Sequence, residues 1–407
     1  MRSCCATSRR GFLGLVAGGS FTFALAGLPG AVFAALPGER RFVVVLLRGA
    51  LDGLAAVAPY ADPRYAEKRG ALALKPPGEA GGAIALDRNF ALHPSLAALA
   101  PYYQRGEFLV VPAAGNGYQT RSHFDAQDLM ETGLAAKHGE SDGWLNRALV
   151  LLQKGDARLG LAVGGAVPLV LRGKVQVASW EPQGKTPPDS DLIAALKPIY
   201  ARDQLLGPAF AEGLKAQSFA GAVLGDDSEM GKGMGFGPKA FAPLAAAAGK
   251  LLAADKGPRV AALDMGGWDT HVAQGAETGR LAQNLEGLAA GLDAMAQAMG
   301  PVWKNTVVVA VTEFGRTVAV NGNNGTDHGT ASVLLVLGGA VKGGRVAGDW
   351  PGLANLQDNR DLRVATDSRR VMKGILRDHL GLDRRDLDAR VFPDDAALAP
   401  FDGIIRA

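Results

Sequence analysis

Apolar positions along this chain follow two patterns. Unalternated runs of strand length recur at Phe42–Leu47, Phe108–Val111, Val167–Leu171, Val260–Leu263, Thr306–Val311 and Ser332–Leu337. These runs are rich in β-branched residues, and a short apolar run without polar alternation suits a strand covered on both faces. Elsewhere the spacing is helical: Leu281, Leu285, Leu288, Leu292, Met295 and Met299 step by four and three, marking one face of a helix. Strand and helix in alternation predict an α/β fold, with a mostly parallel central sheet flanked by helices. Leu192–Ala220 and Phe241–Ala254 also have a helical pattern, and polar or Gly-rich stretches at Glu181–Ser190 and Gly225–Pro238 read as loops. Residues of about 180–255 therefore read as a helical insertion in a single α/β domain spanning 35–407.

One apolar run stands apart. Leu13–Leu28 follows the pair Arg9-Arg10 and is diluted by Gly14, Gly18, Gly19, Ser20, Thr22 and Gly27. It falls short of the roughly 20 apolar residues that span a bilayer. With the small residues Ala31-Val32-Phe33-Ala34 behind it, residues 1–34 read as a twin-arginine signal peptide. The expected destination is the periplasm or the exterior, with the Tat translocase as a partner during export and no stable membrane span.

Cleavage after Ala34 would alter the composition in two ways. Both cysteines, Cys4 and Cys5, would be lost, which excludes disulfides and Cys-ligated metal sites from the mature chain. The leader also carries Arg2, Arg9 and Arg10 and no acid, so its removal turns the net charge of +3 into a near balance. A neutral chain has no electrostatic reason to bind nucleic acid.

In parallel sheets ligands gather at the carboxyl ends of strands, so the polar residues there carry the candidate chemistry. They are Arg48 and Asp52 after the first run, then Arg121-Ser122-His123 with Asp125, then Asp269-Thr270-His271, then Glu313 and Arg316. Asp327-His328 stands before the last run. Three of the six histidines fall in these segments, each with a carboxylate within two positions. Imidazole and carboxylate without thiol is the donor chemistry of a divalent metal such as Zn²⁺, Mn²⁺, Ca²⁺ or Mg²⁺. Ser122 stands where a helix starts, a place that favours bound anions, and a hydroxyl there could act as a nucleophile. Local roles compete with these readings: Asp52 could cap a turn, Ser122 could cap its helix, and Glu313 could pair with Arg316. His379 lies in a helical pattern without such company and is expected at the surface. Trp144 is expected to pack rather than to stack on a ligand.

Taken in order, Arg48–Gly53, Arg121–Asp128 with Glu131-Thr132-Gly133, Gly267–His271, Thr312–Thr317 and Thr326–Gly329 resemble the family catalogued as domain of unknown function 1501. That family in turn resembles a branch of the alkaline phosphatase and sulfatase superfamily. The resemblance implies a metal site at the strand ends, with Asp52, Asp269, His271 and His328 as metal ligands and Ser122 as nucleophile; Glu313 and Asp327 are read beside them as further candidate ligands. Arg48, Arg121 or Arg316 would hold a small anionic ester, for which the planar fork of guanidinium donors is suited. It also implies a partnership with a second exported protein. Where the superfamily usually has an Asp-His pair, this chain has Glu313-Phe314, and phenylalanine cannot ligate; otherwise Asp327-His328 is that pair, displaced by a loop. Either way a one-metal or altered centre is implied. The expected function is metal-dependent hydrolysis of phosphate or sulfate esters; the alternative is a non-catalytic secreted binding or assembly protein on the same fold.

Overall fold

The computed structural model describes residues 39–136, 141–152, 159–182, 190–204, 206–225 and 237–406. The leader, His138 and most of both predicted loops lie outside these residues.

A nine-stranded sheet organises the chain. Its strands are β1 (Arg41–Leu47), β2 (Phe108–Gly115), β3 (Gly160–Val163), β4 (Ala178–Trp180), β5 (Val260–Met265), β6 (Thr306–Val311), β7 (Ser332–Leu337), β8 (Arg345–Val346) and β9 (Thr366–Asp367). They lie in the order β8-β2-β7-β6-β1-β5-β3-β4, with β9 also against β2. All pairings are parallel except those of β7, which runs antiparallel to β2 and β6. The carboxyl ends of β1, β2, β5 and β6 therefore share one edge, and the segment leading into β7 returns to that same edge.

The continuous apolar runs are explained by burial on both faces. In β1, Val43, Val45 and Leu47 enter one core, while Phe42, Val44 and Leu46 enter the other. Helices Pro238–Ala253 and Arg280–Met299 cover the first face, and helices Trp144–Leu152 and Ser368–Asp378 cover the second. Trp144 packs, as expected, 6.3 Å from Phe42 and 5.7 Å from Phe392 between ring centres. The α/β class with a mostly parallel sheet holds.

Two sequence expectations fail. Val167–Leu171 is not a strand: Leu169–Leu171 forms a 3₁₀ turn after Pro168, which cannot donate to a ladder. The strands on that edge are β3 and β4 instead, too short to stand out as apolar runs. His379 is buried, not exposed, with its Nε2 bonded to the Arg41 carbonyl at 2.8 Å. Desolvation pushes its pKa down to about 4. A lone histidine on a helix carries no sign of which face it occupies. In the predicted insertion, helices Ser190–Tyr200 and Leu206–Leu224 precede Pro238–Ala253.

Candidate metal centre

Four segments meet at the shared edge. The helix His123–Thr132 follows β2, with Ser122 at its N-cap. The turn Gly266–His271 follows β5, and Thr312–Arg316 follows β6. The loop ending in Asp327-His328 is drawn against these ends by glycines. A Cβ on Gly315 would lie 1.8 Å from the Ala331 carbonyl oxygen, and one on Gly325 would lie 2.3 Å from that of His271. Only a residue without a side chain allows such backbone contact.

The imidazoles of His123 and His271 both approach that of His328. Nε2 of His328 lies 3.0 Å from Nε2 of His123 and 3.0 Å from Nε2 of His271. The Asp269 carboxylate closes the group, with Oδ1 at 3.0 Å from His271 Nε2 and 3.3 Å from His328 Nε2, and Oδ2 at 3.7 Å from His123 Nε2. Ligand atoms of His123, Asp269 and His328 all lie within 4.8 Å of one another.

Every member is held from behind. His123 donates Nδ1–H to Glu313 at 2.8 Å, His271 donates to Asp327 at 3.1 Å, and His328 donates to the Arg121 carbonyl at 2.9 Å. Arg316, fully buried, donates to Asp269 at 2.5 Å. These acceptors have no hydrogen to give, so each neutral ring carries its proton on Nδ1 and a lone pair on Nε2. Four lone-pair atoms then crowd together, which is repulsive unless a cation lies among them. Carboxylates and carbonyls behind the distal nitrogens are the usual support of metal-bound histidines. The residues fit a divalent metal.

Electrostatics agree with the geometry. Hydrogen bonding to Glu313 raises the His123 pKa against the cost of burial, whereas burial lowers that of His328. Burial opposes the charge on Glu313, but bonds from His123, Gln127 and Gly49 outweigh it and keep the group acidic. Asp269 is likewise partly buried and is held acidic by Arg316. Asp327 is kept acidic first by Asn321, which donates to it at 3.0 Å. The centre opens to solvent: side-chain exposure is 43% for Asp269 and 39% for His271.

The expected ligands separate into three groups. Asp269, His271 and His328 are in the centre. Glu313 and Asp327 stand behind histidines, and Glu313 does not pair with Arg316. Asp52 lies apart and buried: Oδ1 caps the turn Gly53–Ala56, while Oδ2 takes Arg69 at 2.5 Å and Gln274 at 2.7 Å. With both oxygens engaged, it has no lone pair aimed at the centre. His123 was absent from the ligand set that the family resemblance implied, although it was one of the three strand-end histidines; its neighbour Ser122 drew the chemical reading. His123 supplies the imidazole that Phe314 cannot, with the two rings 4.9 Å apart.

The arginines are also committed. Arg121 meets Asp361 at 2.6 Å and Asp358 at 2.9 Å, and Arg48 meets Asp264 at 2.6 Å and Glu131 at 2.8 Å. Arg121 has φ 62°, a strained conformation for a side-chain-bearing residue, and this aims its carbonyl at His328. Ser122 makes no side-chain cap, so its hydroxyl is not spent on the helix.

Fold and site together define a mostly parallel α/β protein with a candidate metal centre of His123, Asp269 and His328, with His271 against two of them. A family model described as "Protein of unknown function (DUF1501)" matches residues 39–391, and the chain belongs to that family. No curated protein matches it. Among solved structures it is similar to the phosphonate monoester hydrolase of Agrobacterium radiobacter, at 13% identity over 84% of this chain and 74% of that one, TM-score 0.37. It is also similar to Ps i-CgsB in complex with k-i-k-neocarrahexaose, at 12% identity over 81% and 68%, TM-score 0.36. A third is the C-terminal periplasmic domain of EcEptC from Escherichia coli in complex with Zn, at 10% identity over 77% of each chain, TM-score 0.32. No helix among the described residues is long and apolar enough to cross a membrane.

Proposed function

We propose that this protein is an exported, metal-dependent hydrolase of phosphate or sulfate esters. The observation that carries the proposal is the convergence of three Nε2 lone pairs and one carboxylate, each braced from behind. A divalent ion held by His123, His271, His328 and Asp269 would supply Lewis-acid neutralisation of an anionic oxygen. Zn²⁺ suits imidazole donors best among the ions considered.

The chain's own residues supply the rest. The first-turn amides of the ten-residue helix after Ser122 favour an anion at the same mouth. With Arg48, Arg121 and Arg316 held by carboxylates, these amides and the metal replace the arginine clamp expected from sequence. Ser122 Oγ is the nucleophile: it bonds to phosphorus or sulfur as the ester oxygen departs, and its proton passes through water to that leaving oxygen. Water then cleaves the seryl ester and restores the hydroxyl. Export through the twin-arginine pathway, which carries folded proteins, would let the metal enter before translocation. A second exported protein remains the proposed partner.

Two measurements test this together. Metal analysis of the folded protein should find close to one divalent ion per chain, and 4-nitrophenyl phosphate or sulfate should be turned over. Ser122→Ala should abolish turnover and retain the metal. A metal-loaded protein inert towards both esters would favour a purely structural centre, a reading supported by four protein donors around one ion. Absence of metal would remove the basis for either reading.

A further inference from the structure

Large apolar side chains are exposed at four described positions, and two of them adjoin the centre: Phe124 is 84% exposed and Val272 is 60% exposed. Each directly follows a donor histidine, so its Cα lies about 3.8 Å from that of His123 or His271. The two histidines approach His328 with Nε2 atoms 3.0 Å away in both cases, so Phe124 and Val272 each lie one residue from the same cluster.

Both side chains stand on fixed backbone. Phe124 is in the first turn of helix His123–Thr132, which is packed inward through Ala126 and Leu129. Val272 precedes Ala273 and Gln274, whose amides bond to the Asn323 and Asn324 carbonyls at 2.9 and 3.0 Å. The cluster itself is polar, with Asp269 and Asp327 against its histidines. Leaving a phenylalanine and a valine exposed forgoes the stabilisation that burial would give them. At a site built for an anion, that apolar surface is suited to the other half of the ligand.

We infer that Phe124 and Val272 form the apolar rim of the substrate site, and that the substrate is an anionic ester whose organic half is an aryl or bulky alkyl group. The inference rests on the proposed function for the anion-binding centre and adds the ligand's second half. The ester's charged oxygens face the histidine cluster, and its apolar group lies against the ring and the isopropyl group.

Binding separates this inference from the hydrolase reading, because it needs no turnover. Isothermal titration of the metal-loaded protein would compare inorganic phosphate, methylphosphonate and phenylphosphonate. Phenylphosphonate should bind about tenfold more tightly than methylphosphonate, equivalent to roughly 1.4 kcal/mol. In Phe124→Ser/Val272→Ser that preference should fall below about twofold, with methylphosphonate affinity unchanged. Equal affinity of the two phosphonates in the parent, including no binding of either, overturns the inference. So does a preference that survives in the double variant. Sedimentation showing a dimer that Phe124→Ser dissociates would assign the apolar pair to a second copy of the chain instead, and also overturns it. Phosphonates that bind as expected to a protein unable to cleave any ester would leave the rim in place and refute only the hydrolysis.

Discussion

Two clusters of acid and base lie at the same sheet edge and differ in how their charges are matched. Around Asp52, donors face acceptors: two backbone amides, Arg69 and Gln274 satisfy the carboxylate, and the pocket is closed to water. Around His328, acceptors face acceptors, and the group is open to solvent on one side. The first arrangement is complete as it stands and fixes the path of the chain after β1. The second is complete only with a cation. A carboxylate just past a strand is thus compatible with either role, and the atoms opposite it decide which.

The clusters are linked, which makes their difference testable. Gln274 accepts from Thr270 and Thr326, and Thr326 holds Arg316, which holds Asp269. Asp52 therefore reaches the centre through Gln274, by way of Thr326 and Arg316 and by way of Thr270, which lies between Asp269 and His271. Asp52→Ala would leave the buried Arg69 unpaired and should cost about 3–5 kcal/mol in urea unfolding. The same variant, measured under conditions where it is folded, should still bind one metal ion; loss of metal would mean the two clusters act as one.

His379 extends the completed-pocket logic to pH. Its pKa is about 4 in the fold against an ordinary 6.5, so only the unfolded chain takes up the proton between those values. Its contribution is fully present above pH 6.5 and is lost as pH falls towards 4, by about 3 kcal/mol in total. His379→Leu should flatten the dependence of unfolding free energy on pH across that window; an unchanged slope would assign it to other groups.

Effects at the open centre should be smaller and metal-linked. Chelation should lower the unfolding free energy by about 2.7 kcal/mol relative to protein with free metal at 100 times its Kd. Next comes Glu313→Gln, which keeps the shape behind His123 and removes the charge. It should weaken metal binding by about 10–100-fold, read by competition with a chromophoric chelator. Metal affinity within a factor of about two of the parent would show that Glu313 does not support a ligand.

Much of the fold was legible because burial on both faces writes itself as unalternated apolar runs. β1, β6 and β7 lie where those runs lie, and the helix Arg280–Met299 lies where the stepped leucines lie. β3 and β4 were not legible: at four and three residues they lack the length to signal, and their pairing with the sheet fixes them. In the centre, Asp269, His271 and His328 were identifiable because imidazole beside carboxylate after a strand is an unusual juxtaposition. Glu313 and Asp327 read as ligands from sequence, whereas the structure places them as hydrogen-bond partners of His123 and His271.

The sequence alone thus determined the α/β class, the edge at which polar residues collect and the residue types available there. The expectation of a twin-arginine leader likewise comes from linear spacing and needs no fold. The tertiary structure decided which atoms face which. His123, Glu313 and Phe314 are brought together from segments 190 residues apart, and no local pattern encodes the direction of a lone pair. Local spacing sets periodicity and burial, whereas a ligand set depends on the relative orientation of side chains that only the packed sheet edge fixes.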